Sequence, residues 1–194
     1  MRVLVVYCHP VPESYCAAIR DTAVEVLERR GWDVRLLDLY AENFNPVMSC
    51  EERRLYNERA PQDPALEPHF DHLMWAEAIL FIYPTWWYGL PAMLKGWFDR
   101  VWAADIAFKL PAGKGRITSL MRHVTKVGVI TTCGAPTWWS VVVGQPGRKT
   151  ILRGMRALCA TRCKTFLAHY LMDASTPKSR AAFLAKVRAR LERF

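Results

Sequence analysis

Long apolar runs are missing from this 194-residue chain. Nothing in it reaches the roughly 20 consecutive apolar residues of a membrane-spanning helix. The opening stretch, MRVLVVY, sets five apolar residues behind one Arg. It is too short for a secretory signal and has no small-residue cleavage site after it, so a cytoplasmic location is expected. Two phosphate-binding glycine patterns are also missing. G-x-G-x-x-G would mark a nicotinamide-type Rossmann turn and G-x-x-x-x-G-K-S/T an NTPase loop. No C-x-x-C pair occurs among Cys8, Cys16, Cys50, Cys133, Cys159 and Cys163. Free, buried thiols are therefore expected, and no metal site. There is no Ser-His-Asp set and no catalytic carboxylate pair. The net charge is +9, but no nucleic-acid-binding motif accompanies it. The basic residues noted along the helices (Arg20, Arg29, Arg30, Arg53, Arg54, Lys186, Arg188, Arg190) read as a solvated surface, and nucleic acid is not an expected partner. No repeat or linker divides the chain, so one domain over residues 1–194 is expected.

What is present is an alternation of apolar strands and amphipathic helices. Val3 to Tyr7 is a continuous β-branched run of the kind buried on both faces of a parallel sheet. A helix follows from about Ser14 to Arg30, with Ala18, Ile19, Ala23, Val26 and Leu27 at helical steps and Gly31 ending it. Further strands are read at Asp33–Leu39, Ala78–Tyr83, Lys126–Thr131 and Lys164–Leu171. Helices are read at Cys50–Glu58, Pro68–Ala76, Pro91–Trp102, Arg148–Ala160 and Pro177–Phe194. Loops are expected at Ala103–His123 and Thr132–Gly147. On the Pro91 helix, Leu94, Trp97, Phe98 and Val101 form the buried stripe. Lys95, Asp99 and Arg100 are placed outside, Lys95 and Asp99 as a surface pair. Trp97 and Trp102 read as core.

Five strands alternating with helices predict an α/β, doubly wound parallel sheet with helices on both faces and the flavodoxin-like order 2-1-3-4-5. Ligands of such sheets sit outside the carboxyl ends of the strands, where the first and third are neighbours. The loops meeting there are CHPVPES and PTWWYG. His9 and Ser14 stand at a helix N-terminus, which suits phosphate, although Ser14 is equally a helix cap. Trp86, Trp87 and Tyr88 are three adjacent aromatics in a loop, more exposed apolar surface than a loop ordinarily carries. After the fourth strand, Thr131, Thr132, Cys133 and Gly134 turn sharply and offer N–H groups to a heterocycle edge. A phosphate end, a planar wall and an amide edge together describe a flavin nucleotide site.

Three segments, GWDVRLLDLYAENFNPVMS (Gly31–Ser49), YPTWWYGLPAMLKGWFDRV (Tyr83–Val101) and ITTCGA (Ile130–Ala135), carry a resemblance. The chain resembles the NAD(P)H:quinone oxidoreductase family, the DT-diaphorase-like branch of flavodoxin-like flavoproteins, from Val3 to Leu171. The resemblance implies a homodimer with FAD or FMN at the subunit interface, using NADH or NADPH to reduce quinones by two electrons. It implies that His9, Ser14, Tyr15, Cys16 and Ala18 form the phosphate-end loop, with Cys16 where Asn is common. Pro84, Thr85, Trp86, Trp87 and Tyr88 correspond to the flavin-ring loop, and Thr131, Thr132, Cys133 and Gly134 to the loop at the pyrimidine end. Phe108 and Leu110 match positions lying over the partner's flavin. Trp139 stands where the diaphorases have a Tyr; their nearby His has no counterpart, and Gln145 is the closest polar residue. Trp139, Gly134 and Gln145 are thus the catalytic candidates, and Trp87, Phe108, Leu110 and Trp139 the substrate-binding ones.

Other readings are a non-enzymatic flavodoxin-type electron carrier, which the basic charge and extra aromatics disfavour, and a flavin-binding regulatory subunit of a cation-efflux transporter in the membrane. Azo dyes or nitroaromatics are alternative acceptors.

Overall fold

The computed structural model describes residues 1–58, 60–111 and 113–194. Five long strands form one parallel sheet: β1 (Arg2–Tyr7), β2 (Asp33–Asp38), β3 (Ala78–Thr85), β6 (Lys126–Cys133) and β7 (Cys163–His169). They lie in the order β2-β1-β3-β6-β7, which is 2-1-3-4-5 when the long strands alone are counted. A short antiparallel hairpin, β4 (Phe108–Lys109) with β5 (Thr118–Ser119), interrupts the stretch read as loop.

β1 shows why the central strands read as unbroken apolar runs. Leu4 and Val6 enter one core with Leu73, Leu94, Trp97 and Ile151. Val3, Val5 and Tyr7 enter a second with Ile19, Ala23, Val26, Phe183 and Val187. Alternate residues point to opposite faces, and both faces are covered: one by α1 (Tyr15–Arg29) and α7 (Pro177–Leu191), the other by α3 (Glu67–Trp75) and α4 (Ala92–Val101). Each fully buried Val or Leu contributes about 1.5–3 kcal/mol.

The helix ends follow local chemistry. Ser14 caps α1 through Ala17 N–H. At the other end Gly31 takes φ +71°, while Gly31 N–H donates to Glu28 O and Trp32 N–H to Leu27 O. That pair of bonds is a Schellman stop, and it aims the chain into β2. Pro84 is tolerated inside β3 because of where β1 stops. Ile82 O accepts from Cys8 N–H, and the last β1 pair is Tyr7 with Ile82. Pro84, two residues on, has no N–H to give to the next rung, and the pairing of β3 with β1 ends there.

Several expectations need correction. Arg100, read as facing solvent, is buried: its Nε donates to Glu52 Oε1 at 2.9 Å and its Nη atoms to Asp63 Oδ2 at 2.7 Å and Asn45 O at 2.6 Å. Phe98 is only half-buried, whereas Trp97 and Trp102 are core and Lys95 pairs with Asp99 at 2.5 Å. The loop after β6 holds a helix, α5 (Thr137–Val142). The helix read at Arg148–Ala160 is instead α6 (Pro146–Lys149), a π turn at Thr150–Gly154 and a 3-10 turn at Met155–Ala157. The cysteines are free, but Cys50, the first residue of α2 (Cys50–Leu55), is exposed. Burial pushes the thiols of Cys8, Cys16 and Cys159 up to about 12, which leaves them unreactive at neutral pH. Among the described residues no helix is long and apolar enough to cross a membrane.

Candidate active site

The carboxyl ends of β1, β3 and β6 bring three loops together. The first runs from Cys8 to α1. Its His9 Nδ1 accepts from Val11 N–H at 3.0 Å, which places the single proton of the neutral ring on Nε2. Partial burial lowers the His9 pKa, so at neutral pH the ring is an outward donor rather than a cation. The His9 and Trp86 rings are 6.1 Å apart between centroids, joining the first loop to the second. Ser14 Oγ is committed to the cap and to Tyr7 OH at 3.3 Å. Among the described residues no acceptor takes the N–H of Tyr15 or Cys16; those two amides, at the positive end of α1, are what the loop offers an anion. The side chains turn elsewhere. Tyr15 OH donates to Arg180 O at 2.7 Å and its ring packs on His169. Cys16 faces the core beside Ile19, and Ala18 is half-buried.

The second loop is a tight turn. Gly89 N–H donates to Trp86 O at 3.0 Å, and the residues between, Trp87 and Tyr88, have φ of +47° and +62°. Positive φ at both central positions is the type I′ pattern, ordinarily filled by Asn-Gly. Two side-chain-bearing residues in the left-handed region cost about 1–2 kcal/mol each. The turn nonetheless holds Trp87 93% exposed. Tyr88 is fixed from the third loop, since Trp139 Nε1 donates to its hydroxyl at 2.9 Å.

In the third loop Thr131, Thr132 and Cys133 are buried. Thr131 Oγ1 lies 2.8 Å from Thr85 Oγ1, and Cys133 Sγ lies 3.7 Å from Ser140 Oγ; both contacts set the loop rather than reach outward. Gly134 is exposed. A Cβ there would meet Asp173 Oδ2 at 2.7 Å, so the missing side chain lets the loop after β7 close on this one.

Behind the rim is a narrow recess of about 20 Å³ lined by Tyr83, Tyr88, Gln145, Arg148, Phe166 and Tyr170, among others. Gln145, at φ +50° before α6, donates through Nε2 to Tyr170 OH at 3.0 Å and accepts at Oε1 from Arg148 at 2.9 Å. Tyr170 thus receives a bond and keeps its own proton to give, and burial raises its pKa. The structure therefore brings His9, Trp86, Trp87, Tyr88, Thr85, Trp139, Gly134 and Gln145 to one end of the sheet. Phe108, half-buried on β4, and the exposed Leu110 do not line the recess. Tyr170, Arg148 and Asp173 escaped the sequence reading, because nothing local distinguishes them from strand-end and surface residues.

Comparison with known proteins places the fold. A family model described as flavodoxin-like fold matches residues 1–193. The chain belongs to that family. This flavodoxin-like chain is similar to an uncharacterized NAD(P)H oxidoreductase of Escherichia coli (strain K12). The two are 36% identical over 125 residues, covering 62% of this chain and 64% of that one. It is also similar to NAD(P)H dehydrogenase (quinone) 1 of Rattus norvegicus, 34% identical over 123 residues, covering 55% of this chain and 45% of the relative. The chain therefore spans about half to two-thirds of the length of these curated relatives. Among solved structures, the NAD(P)H:quinone oxidoreductase from Methanothermobacter marburgensis superposes with a TM-score of 0.85 at 25% identity, over 98% of this flavodoxin-like chain and 97% of that one.

Proposed function

We propose that this chain is a flavin-dependent NAD(P)H:quinone oxidoreductase that works as a homodimer. The observation that carries the reading is the strained Trp87–Tyr88 turn, which holds a 93% exposed indole beside two unpartnered amides at the start of α1. Strain of this kind persists where the surroundings enforce it, and it clusters at ligand sites. The names borne by the E. coli and rat relatives support the redox class.

The residues present fit FAD or FMN. The Tyr15 and Cys16 amides and His9 Nε2 would hold phosphate, Trp86, Trp87 and Tyr88 the ring, and the amides around Gly134 the pyrimidine edge. When bound, the flavin takes hydride from NADH or NADPH and passes it to the acceptor. The chain's own residues orient and exclude. Trp87 and Trp139 form an apolar wall against which a planar substrate stacks, with Phe108 and Leu110 of a second copy completing the enclosure. Tyr170, held by Gln145, donates its proton toward the recess, the role nearest to the proton relay that the sequence lacks. One wall serving donor and acceptor in turn implies ping-pong kinetics.

The test is direct. Purified protein is expected to be yellow, to release FAD or FMN on denaturation, and to oxidise NAD(P)H when a quinone is added. Colourless protein that neither flavin reconstitutes would overturn the proposal. A variant tests the turn itself. Trp87→Asn relieves a left-handed strain of about 1 kcal/mol and sacrifices little packing, so thermal stability holds or rises. Stacking of a planar base on an aromatic side chain is worth about 1–3 kcal/mol, so flavin affinity falls by about 5- to 150-fold, measured by fluorescence titration. Unchanged affinity would remove Trp87 from the site.

A further inference from the structure

The two sides of α7 differ in charge. Toward α1 the charges are matched: Arg188 pairs with Glu25 at 3.9 Å, and Glu192, just past the helix, pairs with Arg29. Toward β7 they are not. Lys186 and Arg190 stand four residues apart on one face of the helix, and Arg193, in the turn that follows, continues the line. With Lys164 of β7 they border a trough of about 380 Å³, whose other lining residues are Cys163, Thr165 and Ala189. No carboxylate lines it. All four cations are exposed, and none forms an ion pair among the described residues.

The trough runs beside a free sheet edge. β7 is last in the order β2-β1-β3-β6-β7, so one of its sides has no partner strand. Cys163 N–H donates to Thr125 O, on the β6 side. Backbone groups alternate sides along a strand, so those of Lys164, Phe166 and Ala168 face the open side. Lys186 also borders a second hollow of about 450 Å³, along Ala168–Leu171. The open space therefore follows β7 from end to end, and its seven residues span about 23 Å. α7 faces this space with Ala182 and Ala189, whose short side chains keep it open. The trough is also separate from the surface that a homodimer would use. α7 packs with α1 on one face of the sheet, whereas Met121 and Val124, after the β4–β5 hairpin, pack with Ile151 on the other.

We propose that a partner protein lays an extended, acid-rich segment along this edge, as a sixth strand on β7. A free edge is a template for strand addition, in which main-chain hydrogen bonds give affinity and side-chain contacts give specificity. Here the four cations set the sign. A strand with Glu or Asp at alternate positions turns those carboxylates to one face, toward Lys186, Arg190 and Arg193. A second copy of β7 would bring the same cations against these, and Lys on an edge guards against such pairing. A phosphate ion or a nucleic-acid duplex would answer the charge and leave the backbone groups of β7 unmet. The cations lie toward the amino end of β7 and the candidate site at the carboxyl ends of the strands. The docking needs no flavin, so it stands or falls separately from the redox reading.

The experiment is fluorescence anisotropy of the full chain with a rhodamine-labelled peptide alternating Glu and Thr, as long as β7. Binding is expected to fall steeply with salt and to weaken by at least about tenfold when Gln replaces Glu in the peptide. Arg190→Glu with Arg193→Glu should also cost about tenfold; both side chains are exposed, so circular dichroism and melting should not change. Of the two alternate sets of peptide amides only one faces β7. N-methylation of that set should abolish binding at unchanged charge, and N-methylation of the other should spare it. Binding that survives methylation of either set overturns strand addition, and binding indifferent to the charge reversal overturns the site. So does a labelled DNA duplex that binds more tightly than the peptide and weakens with the same charge reversal. Growth of the wild-type chain beyond a dimer, removed by that reversal, overturns the proposal too, because the edge then belongs to contact between copies.

Discussion

Arg100→Met is expected to lower stability by about 3–5 kcal/mol, the usual cost of breaking a buried ion pair from one side. At this chain length that is a fall of about 6–20 °C in Tm. The side chain is 3% exposed and bridges Glu52 and Asp63 while donating to Asn45 O. Met fills similar volume, so the loss is electrostatic rather than a cavity. Glu52 is already occupied at its other oxygen, which accepts from Ser49 N–H at 2.8 Å in a capping box; without Arg100 one carboxylate oxygen is left without a partner. The effect carries a pH signature. The Arg100 hydrogen bond, then the Ala65 N–H, hold the Asp63 carboxyl below its ordinary 3.8. A depressed carboxylate contributes stability above its unfolded value and loses it as pH falls through the folded one. The gap between wild type and variant should therefore be full at neutral pH and narrow below about 3.8. Urea melts at several pH values check it, and a gap independent of pH would contradict the ion-pair account.

Gly96→Ala is expected to destabilise against its helix propensity. Inside α4, Ala should gain about 1 kcal/mol over Gly. A Cβ at this position, however, would lie 2.2 Å from Pro46 O, 2.4 Å from Pro46 Cβ and 2.5 Å from Pro46 Cα. Two of these are backbone atoms and cannot swing aside. Overlap wins, with a net loss of about 1–3 kcal/mol, read as a shift in urea midpoint without change in slope. The displaced segment is the one Arg100 holds, so combining the two substitutions should give less than the sum of their effects. A stabilised Gly96→Ala variant would show that the segment around Pro46 does not press on α4.

These two positions mark where the sequence ran out. The long strands were readable because burial on both faces leaves an uninterrupted β-branched run, and α1 because its stripe and its Ser14 and Gly31 ends are local. Arg100 was not, because its partners lie 37 to 55 residues away, and an Arg beside Asp99 on a helix looks solvated. One signal was available: Ser49-x-x-Glu52 is a capping-box spacing, and it marks Glu52 as a placed residue. The hairpin escaped because its strands are two residues each. α5 escaped because TWWSVV is poor in helix formers and has no side-chain cap.

At the candidate site the loops were legible and the side-chain directions less so. Cys16 sits three residues before Ile19 and seven before Ala23, so the stripe that defines α1 already placed it inward. The Gln145–Tyr170 bond joins the start of α6 to the end of β7, which no local pattern predicts. The exposed rim was legible because three aromatics in one loop conflict with the ordinary economy of surfaces.

The Trp87–Tyr88 turn has a consequence for timing. Its backbone is closed by Gly89, and Tyr88 is tied to Trp139. Under the proposed function, a flat guest would meet a wall already in place and lose no chain entropy in building it. On the same proposal, exchange of one guest for the next would then be limited by departure rather than by loop rearrangement.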